Sequence, residues 1–131
     1  MKGYVDNIED LAEKNEEFRR VLYTSKNLQL VLMALHTGED IGEEIHEDRD
    51  QFFRIETGNG EIEIDGVRSE IKAGSAVIVP AGARHNLRNS GTSALRLYTL
   101  YAPPEHRDGT VHSTKADAEA SEEHFDGKTT E

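Results

Sequence analysis

The residues whose types and spacing could do chemistry fall in two short segments of this 131-residue chain. In the first, Glu44 and His46 are two apart, and Gln51 follows after four intervening residues. Side chains two apart on an extended strand share a face, so Glu44 and His46 point the same way. A tight turn through 47–50 can bring Gln51 alongside them on the next strand. In the second segment, 74–89, Pro80 and Gly82 make a turn and His85 opens a new strand. Carboxylate, imidazole and amide oxygen form an N/O donor set suited to Mn(II), Fe(II), Ni(II), Co(II) or Zn(II). Nucleophilic chemistry has no comparable candidate. The chain has no cysteine, and no serine occupies a Gly-x-Ser-x-Gly elbow.

The elements that must position these groups are short and strand-like. Apolar and β-branched runs predict strands at 18–23, 28–35, 41–46, 51–55, 61–65, 67–71, 76–79, 85–88 and 94–101. Turn signals rich in glycine, proline and asparagine separate almost all of them, and Asp65-Gly66 is a two-residue hairpin signal. One short helix is expected over 7–12, capped by Asp6 or Asn7, with Ile8, Leu11 and Ala12 as its apolar stripe. Many short strands without βαβ alternation predict an all-β sandwich or barrel.

The run Gly74 to Asn89 has the form G-x5-P-x-G-x2-H-x3-N, with Gly74, Pro80, Gly82, His85 and Asn89 at its fixed positions. This segment resembles the second motif of the cupin family. The first cupin motif, G-x5-H-x-H-x3-4-E-x6-G, aligns without gaps on Gly38, Glu44, His46, Gln51 and Gly58. Glu44 stands where the family has its first histidine, and Gln51 where it has glutamate. Fifteen residues, 59–73, separate the two motifs, as in short microbial single-domain cupins. The resemblance covers residues 28–101 and implies a jelly-roll (double-stranded β-helix) barrel with a short N-terminal helix and a polar C-terminal tail. It also implies that Glu44, His46, Gln51 and His85 converge inside the barrel on one divalent transition metal ion. A metal-free hydrogen-bonded cluster of the same side chains is the alternative.

Two histidines and one carboxylate leave a divalent ion with a formal charge of +1, and an octahedral ion would keep about two positions open for water or a chelating substrate. The resemblance therefore implies an enzyme acting on a small oxygenated metabolite such as a keto or hydroxy acid or a sugar. Dioxygenase, decarboxylase and isomerase chemistries all remain open, as does a non-catalytic sensor module. Small cupins of this kind are often labelled mannose-6-phosphate isomerase-like, but Arg84 and Arg88 are the only cations near the second motif that could anchor a phosphate. Phe53 and Ile55 share the parity of Gln51 and are expected to wall the pocket. Arg84, beside His85, either orients an anionic substrate or lies at the surface. Of Tyr98 and Tyr101, of opposite parity, at most one should face the cavity. His106 is expected at the surface rather than as a gate over the barrel mouth.

Acidic residues number 26 against 15 basic ones, a net charge of −11 that disfavours nucleic acid and anionic membrane surfaces as partners. Residues 39–50 hold seven acids, which read as a solvated loop except for Glu44. The amino end has no apolar signal region, so a cytoplasmic protein is expected. Residues 1–112 are read as one barrel domain. Residues 113–131 are read as an acidic, solvated and partly disordered tail, against which Thr114 could cap a marginal helix over 115–123. Segment 18–23 reads as an added edge strand, which predicts a homodimer.

Overall fold

Asp65 and Gly66 adopt positive φ angles of 46° and 83°, the turn geometry that matches the twist of the flanking strands. They join β5 (Asn59–Ile64) to β6 (Val67–Lys72) with Ile64 opposite Val67. The same logic of short strands and tight turns runs through the rest of the chain. The computed structural model describes residues 1–131 and contains two antiparallel sheets. The remaining strands are β1 (Arg19–Thr24), β2 (Gln29–Leu35), β3 (Glu44–Ile45), β4 (Asp50–Thr57), β7 (Ala76–Val79), β8 (Arg84–Arg88), β9 (Leu95–Ala102) and β10 (Val111–His112). The larger sheet runs β10-β1-β2-β9-β4-β7, and the smaller β3-β8-β5-β6. This is the jelly-roll architecture expected of the sequence.

Alternation places one apolar face of each sheet inward. Phe53 and Ile55 from β4 and Leu97 from β9 join Ile62, Ile71 and Leu87 from the smaller sheet in one buried cluster. Helix α1 (Ile8–Lys14) packs against β2, β4 and β9, and Asn7 caps it by accepting from the Asp10 amide at 3.0 Å. The glycines of both motifs, Gly38, Gly58, Gly74 and Gly82, all have positive φ. At Gly58 a β-carbon would also stand 2.6 Å from the Ala94 carbonyl oxygen. Only glycine satisfies both demands.

Three expectations need correction. The strand predicted over 41–46 is reduced to Glu44–Ile45, because Gly42 has a φ of 90° and interrupts the ladder after Ile41 bonds to Leu87. Strand β1 is not an open edge. It pairs with β10 at Arg19 and Arg20, and Thr24 exchanges backbone and side-chain bonds with Thr130. The acidic C-terminal segment forms α2 (Lys115–Ala120), capped by Thr114, and lies against the barrel. The cap lies at Thr114, where the sequence offered one, while the docking is held by pairings with distant residues: Lys115 with Asp40, Glu123 with His106, and the Phe125 amide with the Glu105 carbonyl. No helix is long and apolar enough to cross a membrane.

Candidate metal centre

Glu44 and His85 are directly opposed across β3 and β8, so their side chains rise from one face of the smaller sheet. Gln51 comes from β4 in the larger sheet, where its cross-strand neighbour is Tyr101 of β9. His46 lies just beyond β3, and its carbonyl accepts from the Gly82 amide at 2.8 Å. That bond ties the first motif to the turn of the second. The ligand atoms of Glu44, His46 and His85 all lie within 4.8 Å of one another. His46 Nε2 is 2.9 Å from Glu44 Oε2, and His85 Nε2 is 3.2 Å from Gln51 Oε1. Donors held about 2.0–2.2 Å from one ion stand about 3 Å apart at right-angle positions. The donor set therefore fits a shared divalent cation.

The hydrogen bonds behind these atoms strengthen that fit. Thr99 Oγ1 donates to the Phe52 carbonyl at 2.8 Å and accepts from Gln51 Nε2 at 3.0 Å, which turns Gln51 Oε1 toward His85. His85 Nδ1 faces the Ala83 carbonyl at 3.2 Å, which can only accept. Burial holds the His85 pKa below the usual histidine value despite this bond, so the ring is neutral and its Nε2 carries a lone pair. A neutral ring with its proton on Nδ1 turns the Nε2 lone pair toward Gln51 Oε1, and a cation bound by both atoms satisfies this arrangement. Burial also works against charge on Glu44, but the hydrogen bond and charge of His46 prevail and lower its pKa. His46 is raised in turn, with Glu44 and Glu105 outweighing its burial.

Glu105 Oε2 lies 3.4 Å from His46 Nδ1 and also pairs with Arg49. A carboxylate in this position is what would orient His46 if it held a metal. Tyr101 packs edge-on against His46, with ring centroids 5.8 Å apart. Burial pushes its hydroxyl pKa up. That hydroxyl is 3.3 Å from His106 Nε2, and His106 Nδ1 is 2.7 Å from Glu123 Oε1. His106 is therefore buried under the tail, contrary to its expected surface position. Of the two tyrosines, Tyr101 is the inward one.

The expected pocket residues divide. Phe53 is fully buried one pleat below Gln51, its ring 6.3 Å from that of His85, and forms an apolar floor. Ile55 is a further pleat down, fully buried in the core. Arg84 has the parity opposite His85; its side chain is 61% exposed and pairs with Glu43 at 2.8 Å. It does not reach the cluster, and Arg88 is exposed as well. A cavity of about 180 Å³ does reach Glu44, from the side where Arg19 and Ile41 lie under Lys115 and Ala118 of α2.

Sequence reasoning passed over Thr99, Glu105 and Arg19. A signal existed for two of them. Thr99 interrupts an inward-facing series of Leu95, Leu97 and Tyr101, and Arg19 shares the inward parity of Val21. Glu105 follows the last long strand and carries no periodic signal.

Comparison with known proteins agrees with this geometry. Residues 31–101 match the family model described as a cupin domain. The chain is 46% identical over 128 residues to the uncharacterized protein YrkC of Bacillus subtilis, covering 93% of this chain and 69% of that protein. The crystal structure of BH2720 from Bacillus halodurans superposes with a TM-score of 0.90 at 45% identity, over 92% of this chain and 96% of that one. A predicted oxalate decarboxylase of Thermotoga maritima gives a TM-score of 0.57 at 26% identity, over 60% and 68% of the two chains. With both motifs in register on two facing sheets and the matched residues spanning β2 to β9, the chain belongs to the cupin family.

Proposed function

We propose that this cupin is an enzyme that holds one divalent transition metal ion, of the Mn, Fe, Ni, Co or Zn kind, through Glu44, His46, Gln51 and His85. Its substrate is a small oxygenated metabolite, and its setting is the cytoplasm. The observation that carries this reading is the pair of acceptors, His85 Nε2 and Gln51 Oε1, held 3.2 Å apart by bonds to Ala83 and Thr99. A bound ion of this class supplies Lewis acidity to substrate oxygens. The chain does the rest. Glu105 keeps Nε2 of His46 aimed inward, Phe53 keeps water from beneath His85, and Tyr101, tethered to His106, presents a neutral hydroxyl beside Gln51.

A sugar-phosphate isomerase reading is disfavoured, because Arg84 and Arg88 both turn away from the cluster. A non-catalytic sensor is the second reading, favoured by the enclosure of His46, whose side chain is 11% exposed. Elemental analysis of purified protein and of His85→Ala tests the metal assignment: near-stoichiometric metal is expected in the parent and loss in the variant. Full occupancy in His85→Ala would refute it. Anaerobic loading followed by oxygen exposure then separates the chemistries. Product that requires oxygen indicates a dioxygenase, turnover without oxygen a decarboxylase or isomerase, and tight binding without turnover the sensor.

A further inference from the structure

Arg19 opens β1 with its side chain on the inward parity of Val21, and it is 8% exposed. A guanidinium carries its charge at every relevant pH, and a buried one is costly unless a carboxylate and hydrogen bonds compensate it. Arg19 has neither in full. No aspartate or glutamate stands within ion-pairing distance, its Nε has no hydrogen-bond partner, and Nη1 meets only the neutral-leaning His112 Nδ1 at 3.3 Å. Phe18 lies beneath it, with the guanidinium carbon 5.4 Å from the ring centroid. The other cations around the barrel mouth are already matched: Lys115 with Asp40, and Arg49 with Glu105. Glu123 feels the charge of Arg19 but spends its hydrogen bonds on His106 and the Arg107 amide.

Arg19 and Glu44 both line the cavity of about 180 Å³ beneath α2. At about 30 Å³ per water, that space holds roughly six water-sized groups. Glu44 senses the charge of Arg19, which contributes to its lowered pKa. Once Glu44 ligates a divalent ion, its charge is committed there, Glu119 at the rim is already near Lys115, and Arg19 is left as a buried cation facing a cavity that touches the centre through Glu44. The complement of that surface is an anion of a few heavy atoms.

We infer that Arg19 is the carboxylate anchor of the binding site, and that the metabolite is a two- or three-carbon carboxylic acid with a hydroxyl or keto oxygen next to the carboxylate. The inference rests on the metal-centre reading, which commits the charge of Glu44 and gives the second oxygen its role. The guanidinium fork pairs with both carboxylate oxygens, a geometry that lysine does not reproduce.

The test is calorimetric titration of glycolate, with its uncharged analogue glycolamide as the control, into metal-free and metal-loaded protein. Wild type is expected to prefer glycolate by about tenfold or more, the scale of a charge-assisted hydrogen bond. Arg19→Gln should erase that preference while leaving metal stoichiometry unchanged, and Arg19→Lys should restore part of it. Equal binding of acid and amide by wild type, or no saturable binding of either, overturns the inference without requiring any variant to fold. Retained preference in Arg19→Gln overturns it as well. If the protein takes up no metal yet the metal-free form still prefers glycolate through Arg19, the anchor stands and the metal-centre reading fails.

Discussion

Glu105 Oε2 stands 3.4 Å from Nδ1 of His46, on the opposite side of the ring from Glu44, which meets Nε2 at 2.9 Å. One imidazole is thus held between two carboxylates from different parts of the chain. The first can serve as a ligand and the second orients it. Arg49 pairs with Glu105 and keeps that carboxylate in place.

Replacing Glu105 with glutamine keeps the shape and removes the charge behind His46. Divalent-metal affinity should fall by about 10- to 100-fold, the scale seen when such supporting carboxylates are lost. Competition with a chromophoric chelator reads this directly. An unchanged affinity would show that Glu105 serves only Arg49.

Gln51→Glu supplies the carboxylate that the family motif has at this position. The variant should bind divalent metal about tenfold more tightly, since a charged oxygen replaces a neutral one. Its metal-free form should be less stable, because the carboxylate loses the donor to Thr99 and sits among Glu44 and buried apolar groups. Chelator competition and denaturant titration of the metal-free form give the two readings, and the signs should be opposite.

Glu123 has its pKa lowered from an ordinary 4.5 to about 2; burial opposes this, but hydrogen bonds from His106 and the Arg107 amide prevail. A carboxyl with a depressed folded-state pKa contributes stability that is present above its unfolded value and lost as pH falls toward the folded one. Stability should therefore drop as pH is lowered from about 5 toward 2, with Glu123 responsible for about 1–2 kcal/mol after allowance for solvent screening. Denaturant midpoints measured for the parent and Glu123→Gln across this range should converge at the acid end.

Gly58→Ala forces a β-carbon into contact with the Ala94 carbonyl at a backbone φ of 91°. It should destabilise the fold by more than about 1 kcal/mol. Arg84→Ala is the contrasting change. Its exposed pair with Glu43 is worth about 0.2–1 kcal/mol at most, so stability and metal content should both stay near those of the parent. Thermal melts and elemental analysis of the two variants check the pair.

Much of the framework was legible because its causes are local. Alternation over 61–65 and the Asp65-Gly66 turn are decided by residues that touch their own neighbours, and β5 and β6 form where expected. The two-residue spacing of Glu44 and His46 likewise guarantees a shared face. The break at Gly42 was less visible, since glycine in a strand can be paired or not depending on its φ. Arg84 was left open between site and surface by its position next to His85, and one step of the pleat puts it on the outside.

The sequence by itself determined the strand-and-turn pattern and the motif glycines, because each depends on backbone preferences within a few residues. Only the tertiary structure decided that Glu105 backs His46, that Thr99 turns Gln51, that Glu123 reaches His106 and that Arg19 Nε is buried without a partner. Those relations join segments far apart in the chain. They depend on which polar groups the closing of two sheets leaves together and away from water, and no local preference encodes that.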